Sequence, residues 1–277
     1  MKSSGIPFSA SAADKLSSLR NITPEQLVAL LPGSYTLPIW DSEWFIGLNS
    51  ALPLEHVAHF PSWVKTVTIG SMKDEGAAFR PLFASWSIED IQKAIRVSIP
   101  DEDFAQEIID AYGLGADTDR TSTLSSLCQL YTDTLFATVP SLVASKSLTP
   151  VTVFSFEQTD DFEASLFKGY SYHAFDNVFF CRLPAVAGDD APAAMRATAD
   201  AFSSSIADVI YGKQPWEIYT TSKRVMRFDG NKSGLVNPSG LDKWKPFMSS
   251  VEREKKFKLL GKALAIYNPN ASSQPPI

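Results

Sequence analysis

The run Pro150-Val151-Thr152-Val153-Phe154-Ser155-Phe156 most constrains how this chain can fold. It is apolar nearly throughout and rich in β-branched and aromatic residues. A strand that offers apolar side chains to both faces must be covered on both faces, the environment of a strand inside a parallel sheet. A second strand is expected over Val64–Gly70, where apolar and polar residues alternate and Gly70 punctuates the end. Ser71-Met72-Lys73-Asp74-Glu75-Gly76 comes next, so a cluster of charge sits at the carboxyl end of a strand. In open α/β sheets that edge is where ligands bind and catalytic residues collect. A solvated loop would carry the same residue types without any chemistry.

Helical signals fill most of the remaining length. Ala12–Arg20 carries Leu16 and Leu19 at helical spacing. Thr23-Pro24-Glu25-Gln26 has the form of a capping box with proline at the first helical position. Leu27, Leu30 and Leu31 then form an apolar face, and Pro32-Gly33 stops the run. The next thirty residues, with Pro38, Pro53 and Pro61, read as irregular structure. Ser87–Asp90 opens a helix with Ile88, Ile91 and Ile95 on one side, and Pro100–Asp103 puts three acids in a first turn, which suits the helix dipole. Leu124–Ser145 is the longest apolar segment, with Pro140 marking a kink or break. Pro192–Tyr211 predicts a long helix, Arg224–Phe228 a last edge strand, and Lys243–Leu264 a terminal helix. Helices outnumber strands, and three strands cannot close a barrel. The end of the chain, 268–277, is rich in Ser, Pro and Asn and reads as a disordered tail.

Composition removes several function classes. The formal net charge is -6, opposite to what phosphate binding needs, so nucleic acid is not an expected partner. No apolar run reaches the length of a membrane span. Met1–Ala13 has no signal-peptide core, so a cytoplasmic location is the default. Cys128 and Cys181 sit among apolar neighbours and read as buried, inert thiols. His56 and His59 are three apart but lack a carboxylate or thiolate cluster, so no metal and no other cofactor is expected. Asn21, Asn231 and Asn270 open glycosylation sequons, which matter only in a secreted protein.

Two stretches carry a family resemblance. Gly70-Ser71-Met72-Lys73-Asp74-Glu75-Gly76 resembles the segment bearing the triad acid in the type B carboxylesterases, the cholinesterase–lipase branch of the α/β-hydrolases. Gly169-Tyr170-Ser171-Tyr172-His173-Ala174-Phe175-Asp176 resembles the segment bearing that family's triad histidine. Asp133 and Phe136 lie where the family carries an Asp and a Phe ahead of a proline, and Gly212–Trp216 matches a further motif. The order acid then histidine agrees with α/β-hydrolases, where the serine comes first.

The resemblance implies an α/β fold, helix-rich with a few mostly parallel strands: a partial α/β-hydrolase. Residues 1–267 would form the C-terminal part of a type B domain. It makes Glu75 the acid, His173 the base, and Asp176 a supporting acid behind them. Ala174 stands where the family usually has glycine. The nucleophile motif Gly-x-Ser-x-Gly occurs nowhere in the chain, and neither does the Gly-Gly pair of an oxyanion loop. The implied function is therefore a carboxylic ester hydrolase that has acid and base but lacks serine and oxyanion loop, and is inactive alone. Its small-molecule ester would bind only once the site is completed. A non-catalytic cholinesterase-like binding module and a truncated remnant stay open beside it. So do three readings of Met1: an internal start, a gene-model artefact, or the true start of a trimmed homologue. Full-length relatives are often secreted. Without the preceding strands, the strand before Glu75 would expose its edge, which predicts self-association.

Overall fold

The computed structural model describes residues 9–23, 25–26, 60–115, 119–238 and 243–267. The chain divides into two compact units, Met1–Ser50 and Ala51–Ile277. In the first, α1 spans Ala12–Arg20 and is capped by Ser11, whose hydroxyl accepts the Asp14 N–H at 3.1 Å. The expected capping box is present at Thr23: its Oγ1 accepts the Gln26 N–H at 3.3 Å, and Gln26 Oε1 accepts the Thr23 N–H at 3.0 Å. Leu27, Leu30, Leu31, most of the proline-rich stretch, His56, His59 and the tail lie outside the described residues.

The second unit is built on four strands: β1 (Val67–Met72), β2 (Val151–Phe156), β3 (Val225–Phe228) and β4 (Gly234–Val236), in that spatial order. β1 and β3 both run parallel to β2, and β4 is antiparallel to β3. The fold is α/β, helix-rich with a small, mostly parallel sheet.

The apolar run at Val151–Phe156 does what its composition requires. Val151 and Val153 face Ala144, Tyr219 and Val225 on one side of the sheet. Phe154 and Phe156 face Met195, Ala199, Phe202 and Phe228 on the other. Three of those residues lie on the long helix α6 (Ala193–Ile210), one residue shorter at each end than the sequence suggests.

A second core is helical. Ile91 and Ile95 of α2 (Ile88–Ser98), Phe104 and Ile108 of α3 (Glu102–Ala111), Leu127 and Leu130 of α4 (Arg120–Thr132) and Phe257 and Leu260 of α7 (Val251–Ile266) pack together. Ser87 and Asp90 close a reciprocal capping box at the start of α2, with bonds of 3.0 and 2.9 Å. None of the helices in the described residues is long and apolar enough to cross a membrane.

Four local expectations are corrected. The first strand is Val67–Met72 rather than Val64–Gly70. Gly70 is inside it, because the Phe154 ring lies over that position and an added Cβ would come within 2.4 Å of it. β3 is not an edge strand: the turn after Asp229 brings back three more residues, Gly234–Val236, as β4. A strand so short, opened by a glycine, leaves little pattern in the sequence. The break near Pro140 begins earlier, as a π-turn at Asp133–Ala137, before helix α5 (Thr138–Lys146) resumes. Proline has no N–H to continue an α-helical ladder, and the wider turn ahead of it absorbs the mismatch. Finally, Cys128 is buried as expected, but Cys181 is exposed.

Candidate active site

The acid-bearing turn is shaped by lack of space. After β1 the Lys73 N–H bonds Phe156 O at 2.9 Å, and the chain enters a 3₁₀ turn at Glu75–Phe79. Gly76 is pressed against α4: a Cβ there would lie 1.9 Å from Cys128 O. Its N–H donates to Thr132 Oγ1 at 2.8 Å, and that hydroxyl donates on to Cys128 O at 2.9 Å. Only glycine allows this approach. Glu75 is thereby driven inward and is 5% exposed. A buried carboxylate needs partners. The Met72 N–H donates to Oε1 at 2.8 Å, and Oε2 faces His173 Nδ1 at 2.6 Å.

The histidine segment, 98 residues further on, is fastened to the same turn. The Ser171 N–H donates to Asp74 Oδ2 at 3.0 Å, and the Asp74 N–H donates to Ser171 O at 2.9 Å. Ser171 Oγ donates to Phe156 O at 2.8 Å, tying the segment to the end of β2. The rings of Phe79 and Phe136 both pack against the imidazole, with centroids 5.5 and 5.3 Å away. The side chain of His173 remains 43% exposed, so one edge of the ring is open to a reactant. Among the described residues nothing hydrogen-bonds its Nε2, and no serine hydroxyl reaches it. Ala174 has φ +65°, in the left-handed region that glycine reaches most freely.

The electrostatics follow from this packing. The Glu75 hydrogen bond raises the His173 pKa above its ordinary 6.5; partial burial opposes it, while the charges of Glu75 and Asp176 add to it. A carboxylate on Nδ1 also fixes the tautomer, with Nδ1 as donor and Nε2 as the free base. Asp176 opens the short helix Asp176–Phe180. Burial first, then the Glu75 charge, push its carboxyl up. Among the described residues Asp176 makes no hydrogen bond to the imidazole, so its influence is through charge. Burial likewise raises Asp74, against the pull of the Ser171 N–H.

Glu75, His173 and Asp176 are thus brought together. Two further residues contribute in ways the sequence does not indicate. Asp74, in the sequence the weaker candidate for the acid itself, instead joins the two segments, and Thr132 caps the turn. Asp74 is visible as a neighbour of Glu75 within one motif; Thr132 leaves no signal, being one of many helical threonines. Asp133 is 2% exposed and accepts from Tyr112 Oη at 2.7 Å and Gln129 Nε2 at 2.9 Å. It anchors the π-turn from which Phe136 reaches the imidazole. Burial and the Asp133 charge keep Tyr112 protonated.

No family model matches this chain, and no curated protein does. Among solved structures, a PNB esterase is 18% identical over 66% of this chain and 38% of its own, with a TM-score of 0.48. A thermophilic PNB esterase is 17% identical over 68% of this chain and 38% of its own, with a TM-score of 0.47. The chain spans 38% of the length of those two esterases.

Proposed function

We propose that this chain supplies the acid and base of a carboxylic ester hydrolase of the type B kind. His173 is the general base and acid, and Glu75 orients it and stabilises its protonated form. Asp176 tunes the ring by charge. One observation carries the reading: the buried Glu75 carboxylate, 2.6 Å from Nδ1 of a half-exposed imidazole. In such a site the free Nε2 takes the proton of a serine hydroxyl as it attacks the ester carbonyl, then returns it to the leaving alcohol. Backbone N–H groups must meanwhile hold the oxyanion. Neither Gly-x-Ser-x-Gly nor a Gly-Gly pair occurs in these 277 residues, so on this reading the substrate, a small carboxylic ester, is turned over only when another polypeptide segment supplies the nucleophile and the oxyanion donors. β1 pairs on one side only among the described strands, and its other edge is where that segment docks. Alone, the chain self-associates there, which sedimentation would detect as a concentration-dependent mass.

A second reading, a non-catalytic binding module, is favoured by the absence of Gly-x-Ser-x-Gly. The two separate experimentally. The purified chain should not hydrolyse 4-nitrophenyl butyrate above background or take up a serine-directed organophosphate. Joined to an in-frame upstream segment bearing Gly-x-Ser-x-Gly, it should turn over the ester, and His173→Ala should abolish that turnover. A folded, serine-bearing form that stays inactive, or activity that survives His173→Ala, refutes the proposal. If no such segment is encoded, the binding module is the better reading.

A further inference from the structure

A cavity of about 420 Å³ lies behind the acid-bearing turn. Its size is that of a small-molecule site, and such sites combine apolar walls with a few polar groups. Here Pro81, Ala84, Leu166 and Phe167 supply apolar wall, and Arg80 and Tyr170 supply polar groups. Two features point to a ligand. Arg80 is half-buried, yet among the described residues no carboxylate lies within ion-pair distance of it, and its guanidinium donates to the neutral Tyr170 hydroxyl at 3.4 Å. Leu166, at the rim, is 94% exposed, an apolar side chain that no described residue covers. Asp74 also lines the cavity, but its Oδ2 is engaged by the Ser171 N–H at 3.0 Å. Among the described residues it forms no ion pair with Arg80.

We propose that this cavity binds an amphipathic monocarboxylate, with its head group on Arg80 and Tyr170 and its apolar body under Leu166 and against Pro81 and Ala84. A guanidinium pairs with a carboxylate through charge-assisted bonds and is less costly to desolvate than an ammonium, which suits a partly apolar site. The inference involves no turnover and stands apart from the esterase reading.

Calorimetric titration of the full chain with 4-butylbenzoate and with the isosteric neutral 4-butylbenzamide tests it. The benzoate should bind about ten-fold or more tightly than the amide, the worth of one charge-assisted bond. Arg80→Gln should erase that preference, and Arg80→Lys should keep part of it. Amide binding retained by Arg80→Gln shows that the variant is folded, and Ala84→Trp, which fills the cavity and leaves Arg80 in place, should abolish binding of both probes while melting like the wild type. Equal binding of the two probes, no binding of either at millimolar concentration, or benzoate binding that survives Ala84→Trp would overturn the assignment.

Discussion

Gly76→Ala is the sharpest probe of how the acid is held. The new Cβ would sit 1.9 Å from Cys128 O, whereas a carbon–oxygen contact settles at about 3.3 Å or more. The obstacle is the backbone of α4, so no rotamer relieves it. The 3₁₀ turn must retreat by about 1.4 Å, the difference between those distances. Two costs follow. Overpacking costs about 1–3 kcal/mol. The Gly76 N–H, now 2.8 Å from Thr132 Oγ1, loses its acceptor in a buried setting, for about 1–3 kcal/mol more. Together they are on the order of 4 kcal/mol, which lowers the melting temperature by about 10 °C for a domain of this size. The same retreat carries Glu75 with it. A bond of 2.6 Å lengthened by this much leaves the hydrogen-bonding range. The His173 pKa should then fall back toward 6.5. Thermal denaturation followed by circular dichroism, and an NMR titration of the imidazole C–H signals, measure the two effects separately. An alanine variant that melts with the wild type and titrates unchanged would refute the steric account.

Ala174→Gly should raise stability by about 0.5–1 kcal/mol, because relief of a left-handed φ of +65° outweighs the extra flexibility of glycine in the unfolded chain; a lowered melting temperature would contradict it. The His173 pKa is raised on folding, so the part of stability that comes from its charge is complete below 6.5 and fades as pH rises through the folded value. His173→Gln should accordingly cost more stability at mildly acid than at alkaline pH, checked by urea melts across that range. Asp176 is raised as well, so the native state holds more protons and stability drops as pH climbs above 3.8 through the folded value. Asp176→Asn should flatten that decline, read from the same melts. In native protein a thiol reagent should label exposed Cys181 quickly and leave Cys128 untouched, since burial hides that thiol and lifts its pKa to about 11. Equal labelling would show that α4 is not packed as described.

Local chemistry makes much of this protein legible from its residues alone. A run apolar on both faces demands cover on both faces, and β2 has it. Ser87 and Asp90, and Thr23 and Gln26, announce helix starts because capping involves residues only three apart. Glu75 and His173 are each visible within a short motif. What folding alone decides are facts about residues distant in the chain. That a glutamate and a histidine 98 positions apart meet is implied by the family resemblance alone, not by local pattern. The sequence does not say that Asp74 and Ser171 clasp the two segments or that Gly70 is a packing position under Phe154 rather than a strand end. Nor does it reveal β4 or the exposure of Cys181. Short-range pattern records which face of an element seeks cover. Which partner provides that cover, and which polar atom is left facing another, depends on how all the faces are satisfied at once, and this is settled only when the chain closes on itself.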